Sequence, residues 1–353
     1  MSRTVRSSCR LLATVAVAAA GAVALAPPAG ACGGLVGENG TIQLTRTSTL
    51  AAYHDGVERY VTSFEFTGEG ESLGSIVPLP GVPTEVVRGG DWTLQRLAEE
   101  VAPVEQVAFD AASRAGAESA EVILETQIDA LDITVLEGGG DEVGTWARAN
   151  GFLLTPDAPE VLDFYGHRSQ IFMAARFDAA RAASLGQTAG DGTPIMLTIP
   201  TDAPWVPLRI LSLGLAGEEL IEADVFLLTD EEPDLLAGGP GLRLERSEPA
   251  DDLLLDDLRS DVGMEWVPEE MWFTYLAVDA EAKDLDYDLA VSPDSSTLPT
   301  LADTGVTRPE ARPVVRPSPG LSTWPLGVGL GAGLLALVVL LRAGGGRDRT
   351  APA

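Results

Sequence analysis

The sequence predicts an α+β, β-rich fold: mostly antiparallel sheets with a few short helices, followed by one C-terminal transmembrane helix. Two patterns carry that expectation. Many short runs read as strands, the clearest alternating apolar and polar residues with period two, whereas four short segments are helix candidates, the clearest with the 3.6 period of an amphipathic helix. Near the C-terminus an uninterrupted apolar run is long enough to cross a bilayer.

In chain order, strands are predicted over 41–47, over 60–66, where Tyr60, Thr62, Phe64 and Phe66 share one face, and over 73–79. Asp91 is placed to N-cap a helix whose Leu94, Leu97, Ala98 and Val101 form one stripe and which Pro103 ends. Strands over 121–128 and 131–137 precede helices over 141–150, closed by Gly151, and over 159–167. Further strands are predicted over 170–177, 194–199, 206–213, 220–228 and 272–278, with a helix over 251–261. In 285–291, Leu285, Tyr287, Leu289 and Val291 alternate with Asp284, Asp286 and Asp288, which predicts a strand whose aspartate face is wet. Two proline-studded segments, 76–83 and 198–208, belong at strand ends or edges because proline donates nothing to a ladder.

With 45% apolar and 22% charged residues, the composition is that of a globular protein rather than a collagen, a mucin or a polytopic transporter. The 23 basic residues stand against 53 acidic ones, a formal charge of −30. Lys283 is the sole lysine. A chain so acidic repels a phosphate backbone, which argues against nucleic acid as a partner. The two cysteines, Cys9 and Cys32, allow no internal disulfide framework once the first is removed.

Residues 1–31 carry Arg3, Arg6 and Arg10, then an apolar run and the small residues Ala29, Gly30 and Ala31, as a secretory signal peptide does. Cleavage after Ala31 makes Cys32 the first mature residue and a possible lipidation site; plain signal-peptidase cleavage is the alternative. The apolar run 324–341 is followed by Arg342, Arg347 and Arg349, which by the positive-inside tendency puts the tail 342–353 in the cytoplasm. The expected topology is a single-pass type I cell-membrane protein. An α+β domain over 32–295 and a Pro/Ser/Thr-rich linker over 296–323 then lie outside, carrying 17 basic and 52 acidic residues. Within the linker Leu301-Ala302-Asp303-Thr304-Gly305 matches an LAxTG sorting signal, which makes Thr304 a possible sortase cleavage site. A linker that merely contains these letters is the other reading.

Several elements together resemble a known family. They are Ala31-Cys32-Gly33-Gly34, the strand pair leading through Phe64-Glu65-Phe66 to Ile76-Val77-Pro78-Leu79-Pro80, and the element from Trp146 to Asn150-Gly151-Phe152. After these come Phe164-Tyr165, the strands from Ile171 to Phe177 and Pro194 to Ile199, and the run from Pro204 to Ile210. In this order, between two membrane signals, they resemble the bacterial envelope family called domain of unknown function 2330, over Ala31 to Leu213 and more weakly to Val291. The resemblance implies architecture and envelope location and brings no activity. Members often carry a second cysteine shortly after the first; its absence here removes support for a disulfide or redox role.

Few residues of the chain fall in a pattern that implies chemistry. Gly70-Glu71-Ser72-Leu73-Gly74 matches the G-x-S-x-G elbow, but Pro78 and Pro80 follow where a helix is required, so Ser72 reads as a hairpin turn. His54 and His167 are the only histidines. The Asp284-x-Asp286-x-Asp288 start of an EF-hand loop fails, having Leu289 at the sixth position and Ser295 at the twelfth. On the helix over 251–261, Asp252 with Asp256 and Asp257 with Asp261 form like-charge pairs that a cation would relieve, and these four are the candidate cation ligands; a solvated acidic face is the plainer reading. Trp266, Trp272, Phe273 and Tyr275 would suit sugar stacking or a core. No cofactor is implied. Two functions are carried forward: a non-catalytic envelope module binding a protein, a wall polymer or divalent cations, and an extracytoplasmic hydrolase using Ser72 or a carboxylate pair.

Overall fold

The computed structural model describes residues 34–37, 47–64, 72–102, 121–187, 192–294, 297–306 and 312–313. The expected signal peptide, Cys32, the apolar run 324–341 and the tail lie outside them. No helix among the described residues is long and apolar enough to cross a membrane.

The chain runs β1 (Gly34–Gly37), β2 (Thr47–His54), β3 (Val57–Phe64), β4 (Ser72–Pro78), β5 (Glu85–Arg88) and α1 (Thr93–Val101). It continues β6 (Glu121–Ile128), β7 (Leu131–Glu137), α2 (Gly140–Ala149), α3 (Ala158–Gly166), β8 (Ile171–Asp178), α4 (Ala179–Leu185) and β9 (Thr193–Pro200). Then follow β10 (Trp205–Val206), β11 (Leu220–Thr229), β12 (Asp234–Ala237), β13 (Leu242–Pro249), α5 (Asp252–Ser260), β14 (Trp272–Glu281), β15 (Leu289–Ser292) and β16 (Arg312–Pro313). A seven-stranded sheet has the order β13-β14-β11-β2-β3-β9-β5, a five-stranded one β1-β4-β8-β7-β6, and a four-stranded one β10-β15-β12-β16. Among the described residues every pairing is antiparallel except β2 with β11, which is parallel.

Alternation along the strands sorts the apolar side chains into layers. On β11, Val225 and Leu227 face the core between the large sheet and the two smaller ones. Phe226 and Leu228 face the other way, onto Leu97 of α1 and Leu254, Leu255 and Leu258 of α5. On β8, Met173 and Ala175 enter that central core, while Phe172 and Ala174 meet Val143, Trp146, Leu162 and Tyr165 of α2 and α3. Burial of such side chains stabilises by about 1.5–3 kcal/mol apiece, so helix pairs cap both outer sheet faces.

Several expectations are corrected. The first strand of the large sheet is Thr47–His54, and 41–46 lies outside the described residues. The expected strand over 206–213 ends at Val206, and Arg209–Ser212 is a 3-10 turn; Pro207 has no N–H to give a ladder, and the N–H groups of Leu208 and Arg209 go to a side chain described below. Ser72 opens β4 rather than sitting in a hairpin turn. The α1 N-cap is Trp92, not Asp91: Asp91 pairs with Arg88, and Asp261 from the far end of α5 does the capping. Edge strand β13 escaped notice because Arg243, Glu245, Arg246 and Glu248 mask its period. The proline expectation holds at Pro78 and Pro200, which end β4 and β9.

Candidate functional site

Asp288 is not on a wet face. Its side chain is wholly buried just before β15, and four donors converge on it. Oδ1 accepts from the Tyr165 hydroxyl at 2.8 Å and from the backbone N–H groups of Leu208 at 2.8 Å and Arg209 at 3.1 Å. Oδ2 accepts from Arg168 Nη1 at 2.6 Å. Burial pushes the carboxyl above its usual range, while Arg168, Tyr165 and the two amides pull it back. The Tyr165 hydroxyl also accepts from the Ile210 N–H at 2.9 Å, so the 3-10 turn hangs from α3 and Asp288 together.

Above this node the Arg168 guanidinium lies 4.1 Å from the Trp205 ring centroid, and Trp205 stacks on Tyr165 at 5.9 Å. Arg168 and Trp205 form part of the floor of an open cleft of about 540 Å³. Pro80, Pro204, Pro293 and Pro299 stiffen its walls, and Tyr53, held by a 3.1 Å bond from its hydroxyl to the Thr201 carbonyl, closes one side. Asp202, Asp294 and Asp303 bring carboxylates to it, and His167 stands at its rim. Burial first, then Asp202 and Asp294, raise the Tyr53 phenol above its ordinary value. With Arg168 already paired to Asp288, the potential in the cleft is negative.

Beneath the cleft, Glu58 of β3 sits directly opposite Tyr53 on β2 and is fully buried. Neither of its carboxyl oxygens meets a side-chain donor among the described residues. Burial pushes it to about 8, with the backbone amide of Trp205 acting in the opposite direction, so Glu58 is mainly protonated at neutral pH.

Three of the four aspartates expected to bind a cation are put to separate uses. Asp257 takes Arg96 at 2.8 Å, Asp256 takes Arg259, and Asp261 accepts from the Trp92 N–H at 3.1 Å and the Thr93 hydroxyl at 2.7 Å. Asp252 is the first residue of α5. Among the described residues no group of three or more His, Cys, Asp or Glu is arranged to hold a metal ion. His54 is bound to Asp230 at 2.6 Å, whereas His167 caps α3 from the surface; of the two, His167 lines the cleft. Of the expected aromatic cluster, Phe273 is buried against Phe226, and Trp266 and Tyr275 pack on the same core, Trp266 under Arg59. Thr304 lies in a 3-10 turn and is fully buried.

Sequence reasoning missed Arg168, Asp288 and Glu58 as site-forming groups. Tyr165 and Trp205 stood in the motifs quoted above, but nothing local marks which aspartate of 284, 286 and 288 turns inward.

Layered sheets, capping helix pairs and a stiff acidic cleft define a β-rich α+β domain with a polar cleft over a sealed ion pair. The profile described as "uncharacterized protein conserved in bacteria" (DUF2330) matches residues 26–230, and the chain belongs to that family. None of the curated proteins matches it. Among solved structures it is similar to baculovirus P35, at 8% identity and a TM-score of 0.38, covering 74% of this chain and all of that one. A mutated baculovirus P35 after caspase cleavage gives 8% identity and 0.32, over 70% and 96%. Likeness at this level carries no functional argument.

Proposed function

We propose that this protein is a membrane-anchored extracytoplasmic binding module of the bacterial envelope, and that the cleft between Tyr53, Trp205 and the 297–303 segment receives its ligand. The observation that carries the reading is the cleft itself: a stiff, negatively charged depression whose floor is locked by the Arg168–Asp288 pair. A pre-formed site loses little entropy on binding. Its charge suits a cation-bearing envelope partner, a protein segment or a wall polymer with free amino groups. The signal-like segment 1–31 and the apolar run 324–341 support the location.

The test compares two double variants of the full chain in detergent, binding a labelled oligolysine peptide at low salt. Asp202→Asn with Asp294→Asn should weaken binding about tenfold, each exposed charge contact being worth up to about 1 kcal/mol. Asp252→Asn with Asp256→Asn removes the same charge from α5 and should leave binding nearly unchanged. Equal weakening by both pairs would show that net acidity, not the cleft, attracts the peptide.

A further inference from the structure

We propose that residues 297–306 form a latch which, while docked, walls the cleft and keeps the Thr304–Gly305 peptide bond from any peptidase, and which presents LADTG as a cleavable extended stretch only when it leaves the body. The inference concerns the chain's own geometry and stands whatever occupies the cleft.

Shape comes first. Leu301–Thr304 is a 3-10 turn closed by a reciprocal cap: Asp303 Oδ2 accepts from the Thr300 N–H at 2.6 Å and the Thr300 hydroxyl at 2.7 Å. The Thr304 hydroxyl donates to the Leu301 carbonyl at 2.8 Å, and Gly305 has φ +75°. Recognition of a peptide by strand addition takes it extended along an edge or groove, and this turn is the opposite of extended.

Docking comes second. Thr304 is fully buried and Val306 nearly so. The Asp288 N–H donates to the Thr304 carbonyl at 3.0 Å, and Arg168 Nη2 donates to the Asp303 carbonyl. Gly305 packs so closely on Phe164 that a Cβ would lie 2.2 Å from the ring. Arg168 and Asp288 thus hold each other and the latch at once. Thr297, Leu298, Pro299, Ala302 and Asp303 complete the cleft wall.

The grip is local. A few hydrogen bonds, each of modest net worth, and a small apolar contact area hold the turn, and Leu298 is 72% exposed. Such a segment opens far more often than the whole domain. Once open, hydrolysis adds one water across the bond and leaves a Thr304 carboxylate and a Gly305 amine; a thiol transpeptidase would pass the Thr304 acyl group to an amine instead. Either way the folded body is severed from everything after Thr304, including the apolar run 324–341.

Thermolysin, which cuts before bulky apolar residues, reads the neighbouring Gly305–Val306 bond in the full chain in detergent. Gly305→Ala combines a left-handed φ with a collision against the Phe164 ring at the docking face, and so loosens the latch. It should raise cleavage at that bond about tenfold or more, since cleavage tracks the open population, and speed amide exchange over 297–306 while β11 stays protected. Thr304→Ala, which loses one hydrogen bond and little packing, should move both readouts the same way by a smaller factor. Wild-type protein cut at that bond as fast as either variant would overturn the latch. So would accelerated cutting that appears only together with loss of β11 protection.

Discussion

Arg168 Nη1 lies 2.6 Å from Asp288 Oδ2 in a pair whose acidic member is wholly sealed from solvent and whose basic member is 10% exposed. The pair ties the end of α3 to the start of β15 and supports both the cleft floor and the turn that follows it. Desolvating two charges is expensive, and it is offset here because every oxygen and donor around the carboxylate is engaged.

Breaking the pair on one side should therefore cost far more than a surface ion pair. Asp288→Ala is expected to lower unfolding stability by about 3–5 kcal/mol, because it strands a nearly buried guanidinium and frees the amides of Leu208 and Arg209. Arg243→Ala, whose ion pairs with Glu245 and Asp279 are on the surface, should cost about 1 kcal/mol or less. Urea unfolding of the two variants checks the contrast; equal losses would mean that Asp288 is less tightly held than its geometry implies.

Glu58 makes stability depend on pH in a stated direction. Its folded-state value of about 8 lies above the 4.5 of an unperturbed glutamate, so the unfolded chain loses this proton first. The contribution of Glu58 is then fully favourable below pH 4.5, declines as pH rises towards 8, and is flat beyond. Glu58→Gln should remove that decline and stabilise the protein at pH 8 relative to wild type, by up to a few kcal/mol. Denaturant midpoints from pH 4 to 9 test it, and parallel curves for the two proteins would be fatal to the assignment.

Asp261 links the two helices on the outer face of the large sheet by capping α1 from the end of α5. Asp261→Ala should destabilise by about 1–2 kcal/mol, the usual value of a lost cap, and raise amide exchange in the first turn of α1. Asp91→Ala, despite its helix-start position in the sequence, should leave that turn unchanged.

Gly140 and Gly166 let α2 and α3 approach closely. A Cβ on Gly140 would lie 2.4 Å from the Asp163 backbone nitrogen, and one on Gly166 would lie 2.5 Å from the Gly140 backbone nitrogen. Ordinary helix propensity favours Gly140→Ala, yet overpacking against backbone should make it destabilising by about 1–3 kcal/mol. A higher melting temperature for that variant would contradict the close approach.

Read by itself, the sequence determined the elements whose signal is local. Alternation in 121–128 and 131–137, the apolar run of 220–228 and the stripe of Leu94, Leu97, Ala98 and Val101 all recur as strands and a helix near their expected bounds. Their period records which residues face a core, whatever that core is made of. Tertiary structure alone decided the fate of the charged groups. Asp284, Asp286 and Asp288 look alike in sequence, but only Asp288 meets Arg168, Tyr165, Leu208 and Arg209, partners 79 to 123 residues away. Glu58 likewise sits in an unremarkable strand, and its proton is retained because β10 and the cleft floor shut water out above it. A charge's cost depends on the dielectric and the donors around it, and chain segments distant in sequence supply both.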